Sequence, residues 1–143
     1  MERLLKKGEA VTLFLSDTKK VFIKTAIIYF IFSVIVLVFS LVYSIFSHEV
    51  YSNFLSYAFL YPLVGGSVLY ILLYFTKTFR KWPYNFYNAG IATITMGSIL
   101  AGVNEIAGAD TLYYLLYFLV GFILIVLSLI TLLVEIIIRR KNK

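Results

Sequence analysis

Carboxylates and carboxamides are scarce in this chain, so their positions define the chemistry open to it. Glu105, with Asn104 beside it, lies near the end of an apolar helical stretch, where an ionisable group is expensive and marks a functional site by default. Buried against small residues, Glu105 is expected to act as a proton-coupled or cation-contacting carboxylate. Placed at the headgroup level, it is instead an interfacial residue or one paired with Asn104. A second constellation is His48, Glu49, Glu105 and Asp110, which the two short loops of a helical bundle bring to one end. Three carboxylates and an imidazole are a weak donor set for a divalent cation, and nothing in their spacing demands one. The chain has no cysteine and one histidine, which excludes thiolate metal sites, disulfide exchange and multi-histidine cages. His48 would have to be the base for any nucleophile, and no serine sits in a GxSxG turn. The glycines form neither a Walker-type nor a dinucleotide-binding loop. No catalytic residue and no cofactor is nominated, and the expectation is non-enzymatic.

The elements that position these residues are membrane helices. Of 143 residues, 62% are hydrophobic and 14% charged, far from the soluble average of about half apolar and a quarter charged. Residues 25–47 form an uncharged run of 23, and residues 112–131 one of 20, against the roughly 20 needed to cross hydrocarbon. With two further apolar stretches, the expectation is an all-α integral membrane four-helix bundle. Its spans lie at about residues 21–47, 53–76, 85–107 and 112–138, a single transmembrane domain over 21–138. Residues 1–20 mix Lys6, Lys7, Lys19 and Lys20 with Leu4, Leu5, Val11, Phe14 and Leu15. That mixture suits a short amphipathic helix in the headgroup layer or a basic tail, and Ser16, Asp17 and Thr18 offer caps for a helix starting near them. The leader and the apolar run are both too long for a cleaved signal peptide. Residues 139–143 are a basic C-terminal tail, and Glu135 stands four residues before Arg139 in helical ion-pair spacing.

Two spans carry structural signals beyond apolarity. Pro62, Gly65 and Gly66 fall in the middle of the second. Proline lacks the backbone donor and clashes with the preceding turn, which predicts a kink near the bilayer centre. Such a break either lines a substrate site or is an ordinary feature of packed membrane helices. The third span is the stretch around which the rest is arranged. At about 100° per residue, Gly90, Gly97, Ala101 and Gly108 fall on one narrow stripe flanked by Thr93, Asn104 and Glu105, where neighbouring helices should dock. Its far side, with Ala92, Thr95, Met96, Ile99, Val103 and Ile106, is expected to face lipid or another subunit.

Charge sets the orientation. All 13 Lys and Arg fall in the N-terminal segment through Lys24, in the loop holding Lys77, Arg80 and Lys81, and in the tail from Arg139. Cytoplasmic loops carry the Lys/Arg excess, so the expectation is a multi-pass protein of the cell membrane with both termini in the cytoplasm. Trp82, Tyr84, Phe86 and Tyr87 would anchor the third span at the same interface. The partner of the basic face is then a bilayer with anionic headgroups. Nucleic acid is not a partner, because the charges are scattered over three membrane-proximal segments without a binding motif.

In architecture the chain resembles the small multidrug resistance transporters, which pack four short helices and work as dimers around a membrane carboxylate. That family carries its glutamate in the first helix, whereas residues 25–47 here are uncharged, so no site residue carries over. The Asn and Phe motifs of the fluoride channels are likewise not found at matching places. The leading expectation is a helix-packing homo-oligomer or the accessory subunit of a membrane complex. The alternative is a small transporter or channel with Glu105 as the coupling residue and the Pro62–Gly66 region as a hinge. A pathway predicts polar side chains along one continuous face through several helices; a packing protein predicts a dry interior of Leu, Ile and Phe.

Overall fold

The computed structural model describes residues 2–47, 50–75, 84–109 and 111–141. They form α1 (Glu2–Ile45), α2 (Asn53–Tyr57), a π-helical segment (Tyr61–Val68), α3 (Leu69–Phe75), α4 (Tyr84–Ala107) and α5 (Tyr114–Lys141), with no strand among the described residues. Four stretches are long and apolar enough to cross a membrane: Lys19–Ile45, Asn53–Phe75, Asn85–Ala107 and Tyr114–Val134. His48, Glu49 and Asp110, the basic loop with Lys77, Arg80, Lys81 and Trp82, and the side chains of Glu135 and Arg139 lie outside what is described.

The first helix is longer than expected. It runs without interruption over 44 residues, about 66 Å at 1.5 Å per residue, roughly twice the thickness of a hydrocarbon core. Ser16, Asp17 and Thr18 therefore lie in the interior of α1 and not at a helix start.

The second span is broken. Ser52 caps α2, its hydroxyl accepting the Leu55 N–H at 3.3 Å, as serine does before a helix. The helix tightens at its end, where the Ala58 N–H bonds to Leu55 O at 3.3 Å, an i to i−3 contact. Pro62 stands at the start of the π-helical segment, where its missing N–H favours a change of hydrogen-bond register over a continued α-helix. The expected kink thus takes the form of a turn followed by π-helix, and regular α-helix resumes only at Leu69.

This broken span lies between α1 and α4, and α5 packs principally on another face of α4. At the end near the chain termini, Phe22, Ala26, Tyr29, Tyr70, Leu73, Tyr87 and Ile91 make the buried core. Tyr70 stacks on Tyr29 with ring centroids 5.8 Å apart and meets the edge of Tyr87 at 6.4 Å. At the opposite end, Phe54 packs against Tyr114 and Phe118 at 5.9 and 6.2 Å, which ties α2 to the start of α5. Long runs of α1 and α5 stay exposed and apolar, among them Ile28, Ile35 and Leu41 on α1 and Leu119, Phe122 and Leu133 on α5.

Candidate functional site: two faces of α4 and an outer pocket

α4 presents two packed faces, about 100° apart around its axis by residue position. On the first, Gly90 and Gly97 meet α5. A Cβ on Gly90 would stand 2.9 Å from Gly121 O and 2.7 Å from Ile125 Cγ1, and one on Gly97 would stand 2.8 Å from Tyr117 Cβ. Gly121 answers from α5, where an added Cβ would lie 3.0 Å from Gly90 O. The two backbones touch, the arrangement by which small residues associate helices in lipid. Ala101 is fully buried.

Gly108 does not belong to this contact. Nothing lies within 4 Å of its Cβ position, and its φ is +64°. Its N–H bonds to Glu105 O at 3.3 Å and that of Ala109 to Asn104 O at 2.9 Å, the paired bonds of a Schellman helix end. Gly108 is on the stripe by angle, but the helix has already stopped, so its glycine serves the left-handed turn.

The second face, Tyr87, Ile91, Thr95, Ser98, Gly102 and Glu105, meets the broken span. Ser98 Oγ donates to Phe54 O at 2.7 Å. From α1, Ser33 Oγ donates to Phe59 O at 2.9 Å, and the Tyr87 hydroxyl donates to Gly65 O at 2.5 Å. Irregular backbone at membrane depth persists only where protein satisfies it, and here three side-chain donors do so. Gly65 faces Ile91, and a Cβ on Gly66 would fall 2.2 Å from the Tyr29 ring, so both glycines admit neighbours at the break. Gly102 is tighter still, its Cβ position 2.4 Å from Leu55 Cβ and 2.7 Å from Leu55 N. Thr95, expected on the side facing lipid or another subunit, is fully buried within the chain with its hydroxyl on Ile91 O at 2.8 Å; Ala92 and Met96 are exposed.

Two polar groups join elements that are distant in sequence. Asn88 Oδ1 accepts from the hydroxyls of Tyr29 at 2.9 Å and Tyr70 at 2.6 Å, which connects α1, α3 and α4. Glu105 Oε2 accepts from Ser52 Oγ at 2.5 Å, so the carboxylate orients the hydroxyl that caps α2. Glu105 is exposed and not packed under the small stripe. Its neighbour Asn104 does not pair with it: the Asn104 amide donates to Thr111 Oγ1 at 2.7 Å. Thr93 and Thr131 return their hydroxyls to their own helices.

A cavity of about 380 Å³ opens beside Glu105, between the end of α4 and the start of α5, walled also by Asn104, Thr111, Leu112 and Tyr114. An apolar groove of about 260 Å³ runs between Ile23, Ile27 and Phe30 of α1 and Ile71 of α3. No group of three or more metal-ligating side chains occurs among the described residues. Comparison with protein-family models, curated proteins and solved structures finds no match to this chain.

The sequence singled out Gly65, Gly66, Gly90, Gly97 and Glu105 but not Gly102, Gly121, Ser33, Ser52, Tyr29 or Tyr70. Ser52 carried a readable signal, a capping residue directly before the second span. The tyrosines carried none, because an aromatic within an apolar run looks the same whether it faces lipid or another helix.

Proposed function

We propose that this protein is a non-enzymatic membrane component that acts through helix packing, as a homo-oligomer or as the small subunit of a larger membrane complex. The observation that carries the proposal is the closure of the break in the second span. Ser33, Ser98 and Tyr87 donate to its backbone carbonyls from two flanking helices, so the irregular segment is sealed by protein and not held open to a solute. Close backbone contacts at Gly90, Gly97, Gly102 and Gly121 serve the same end. The exposed apolar faces of α1 and α5 then suit lipid and neighbouring subunits. The orientation proposed with it places both termini in the cytoplasm of the cell membrane, with the basic segments against anionic headgroups.

Counting photobleaching steps of a C-terminally labelled chain in native-membrane nanodiscs tests this. Two or more copies per particle, or one copy with a stoichiometric larger partner, is the expected result. A lone monomer would contradict it.

A second reading, a small transporter or channel, is favoured by one feature: the Glu105 carboxylate at a cavity near the end of a helix that packs on a broken span. On that reading Glu105 contacts the solute and residues 61–68 are the hinge. Solute or proton flux into proteoliposomes that disappears on Glu105→Gln would favour it over the packing reading.

A further inference from the structure

The cavity beside Glu105 has a consistent chemical character. Among the described residues that line it, the polar wall is a carboxylate, a carboxamide and a hydroxyl, with no Lys, Arg or His. It sits at the carboxyl end of α4, where the helix dipole presents its negative pole. The sequence adds to the bias, since none of the 13 Lys and Arg falls within residues 25–76 or 82–138, the stretches that include the cavity lining. Asn104 uses its amide nitrogen on Thr111, which leaves its oxygen as the acceptor. The ligand chemistry is therefore cationic.

Size and coordination distinguish the kinds of cation. A calcium ion takes about 6–8 oxygen ligands and a magnesium ion about six in a tight octahedron, whereas the described lining residues bring one carboxylate, one amide oxygen and one hydroxyl, short of either set. The volume of about 380 Å³ lies instead in the range of small-molecule pockets, about 300–1,000 Å³. The remaining wall is Ala101, Leu112 and the aromatic Tyr114, surfaces suited to a short carbon chain and to a cation near an aromatic ring.

We propose that this pocket binds an alkylammonium group, its nitrogen against the Glu105 carboxylate and Asn104 Oδ1 and its carbon chain against Leu112 and Tyr114. The source is either a free amine or the ammonium of an aminophospholipid headgroup at the membrane surface. The site goes beyond the packing reading and does not depend on it, since an oligomer can carry such a pocket without moving the ligand.

The test uses the full-length protein purified in a neutral detergent. Ethylammonium chloride is titrated calorimetrically against matched sodium chloride, with calcium chloride as a separate arm. Native mass spectrometry of protein released from phosphatidylethanolamine or phosphatidylglycerol nanodiscs covers the lipid source. Glu105→Gln keeps an acceptor for Ser52, and Ala109→Phe fills the cavity without touching the carboxylate. Saturable ethylammonium binding weakened about tenfold or more by either substitution supports the proposal with a free amine as source. One retained phosphatidylethanolamine, in preference to phosphatidylglycerol and lost on Glu105→Gln, supports it with the headgroup as source. Neither binding event in the wild type, binding indifferent to Glu105→Gln, or a site that calcium saturates and ethylammonium does not would each overturn it.

Discussion

Ser33 and Ser98 donate to the carbonyls of Phe59 and Phe54, and the strength of such bonds in a bilayer is limited because the unfolded chain also finds partners there. Interhelical hydrogen bonds in membranes average about 0.6 kcal/mol and reach about 1.7. Ser98→Ala leaves a buried acceptor and is expected near the upper figure, with Ser33→Ala closer to the mean; reversible unfolding in mixed micelles of increasing SDS measures both. Gly108 offers a different test. No neighbour crowds it, yet its φ is +64°, so Gly108→Ala should cost about 1 kcal/mol through backbone conformation and Gly108→Asn less, with α4–α5 packing unchanged in each. At this scale the sequence was informative where a residue type has one dominant use and misleading where it has two. Glycine serves close approach and positive φ alike, and helical angle alone placed Gly108 with Gly90 and Gly97. Glu105 was singled out for its charge, but its bond to Ser52 joins residues 53 positions apart, a distance over which no local pattern speaks.

At the scale of elements, α4 is the hub because it has two faces with different chemistry. The Gly90 and Gly97 face fits the backbone of α5, and the Tyr87 to Glu105 face fits the broken span. Gly102→Val should be the most disruptive single change on this helix, because its Cβ position lies within 2.7 Å of Leu55 backbone and side-chain atoms. It is expected to cost more than about 2 kcal/mol, as overpacking against a rigid neighbour does, and thermal unfolding followed by circular dichroism reads it. Gly121→Ala should weaken the α4–α5 contact while leaving the Asn88 bonds to Tyr29 and Tyr70 intact, a difference visible in the tyrosine side-chain resonances. The glycine stripe was legible because periodicity reports one face well. The second face was not, since its members are tyrosine, isoleucine, threonine, serine, glycine and glutamate, a set with no common property except where they point. The interior also matches neither simple expectation. It is lined by hydroxyls along one face of α4, as a pathway would be, yet those hydroxyls are committed to protein acceptors, as packing requires.

For the whole molecule, four crossings would put the two termini on one side, and the proposed orientation takes that side as cytoplasmic from the segregation of Lys and Arg. A reporter fused to the C-terminus should therefore be active only in the cytoplasm, and one inserted after Ala109 only outside; the reverse pattern would contradict the orientation. Four apolar stretches and their length were plain from composition, because crossing hydrocarbon imposes a requirement that local sequence must meet by itself. The uninterrupted α1 was not, since polar residues such as Ser16 and Asp17 are permitted both inside and at the start of a helix. The central claim is that the bundle is sealed at the break in its second span. The chain has no cysteine, so single Ser→Cys substitutions at Ser33, Ser67 and Ser98, all buried beside that break, can report on it directly, with Ala109→Cys as the exposed reference. The decisive measurement is their labelling by a membrane-impermeant thiol reagent in proteoliposomes. The sealed bundle predicts that Ala109→Cys labels readily and that the three interior positions stay protected from both sides; labelling of Ser33→Cys, Ser67→Cys and Ser98→Cys at rates near that of the reference would show a water-filled path and contradict the account.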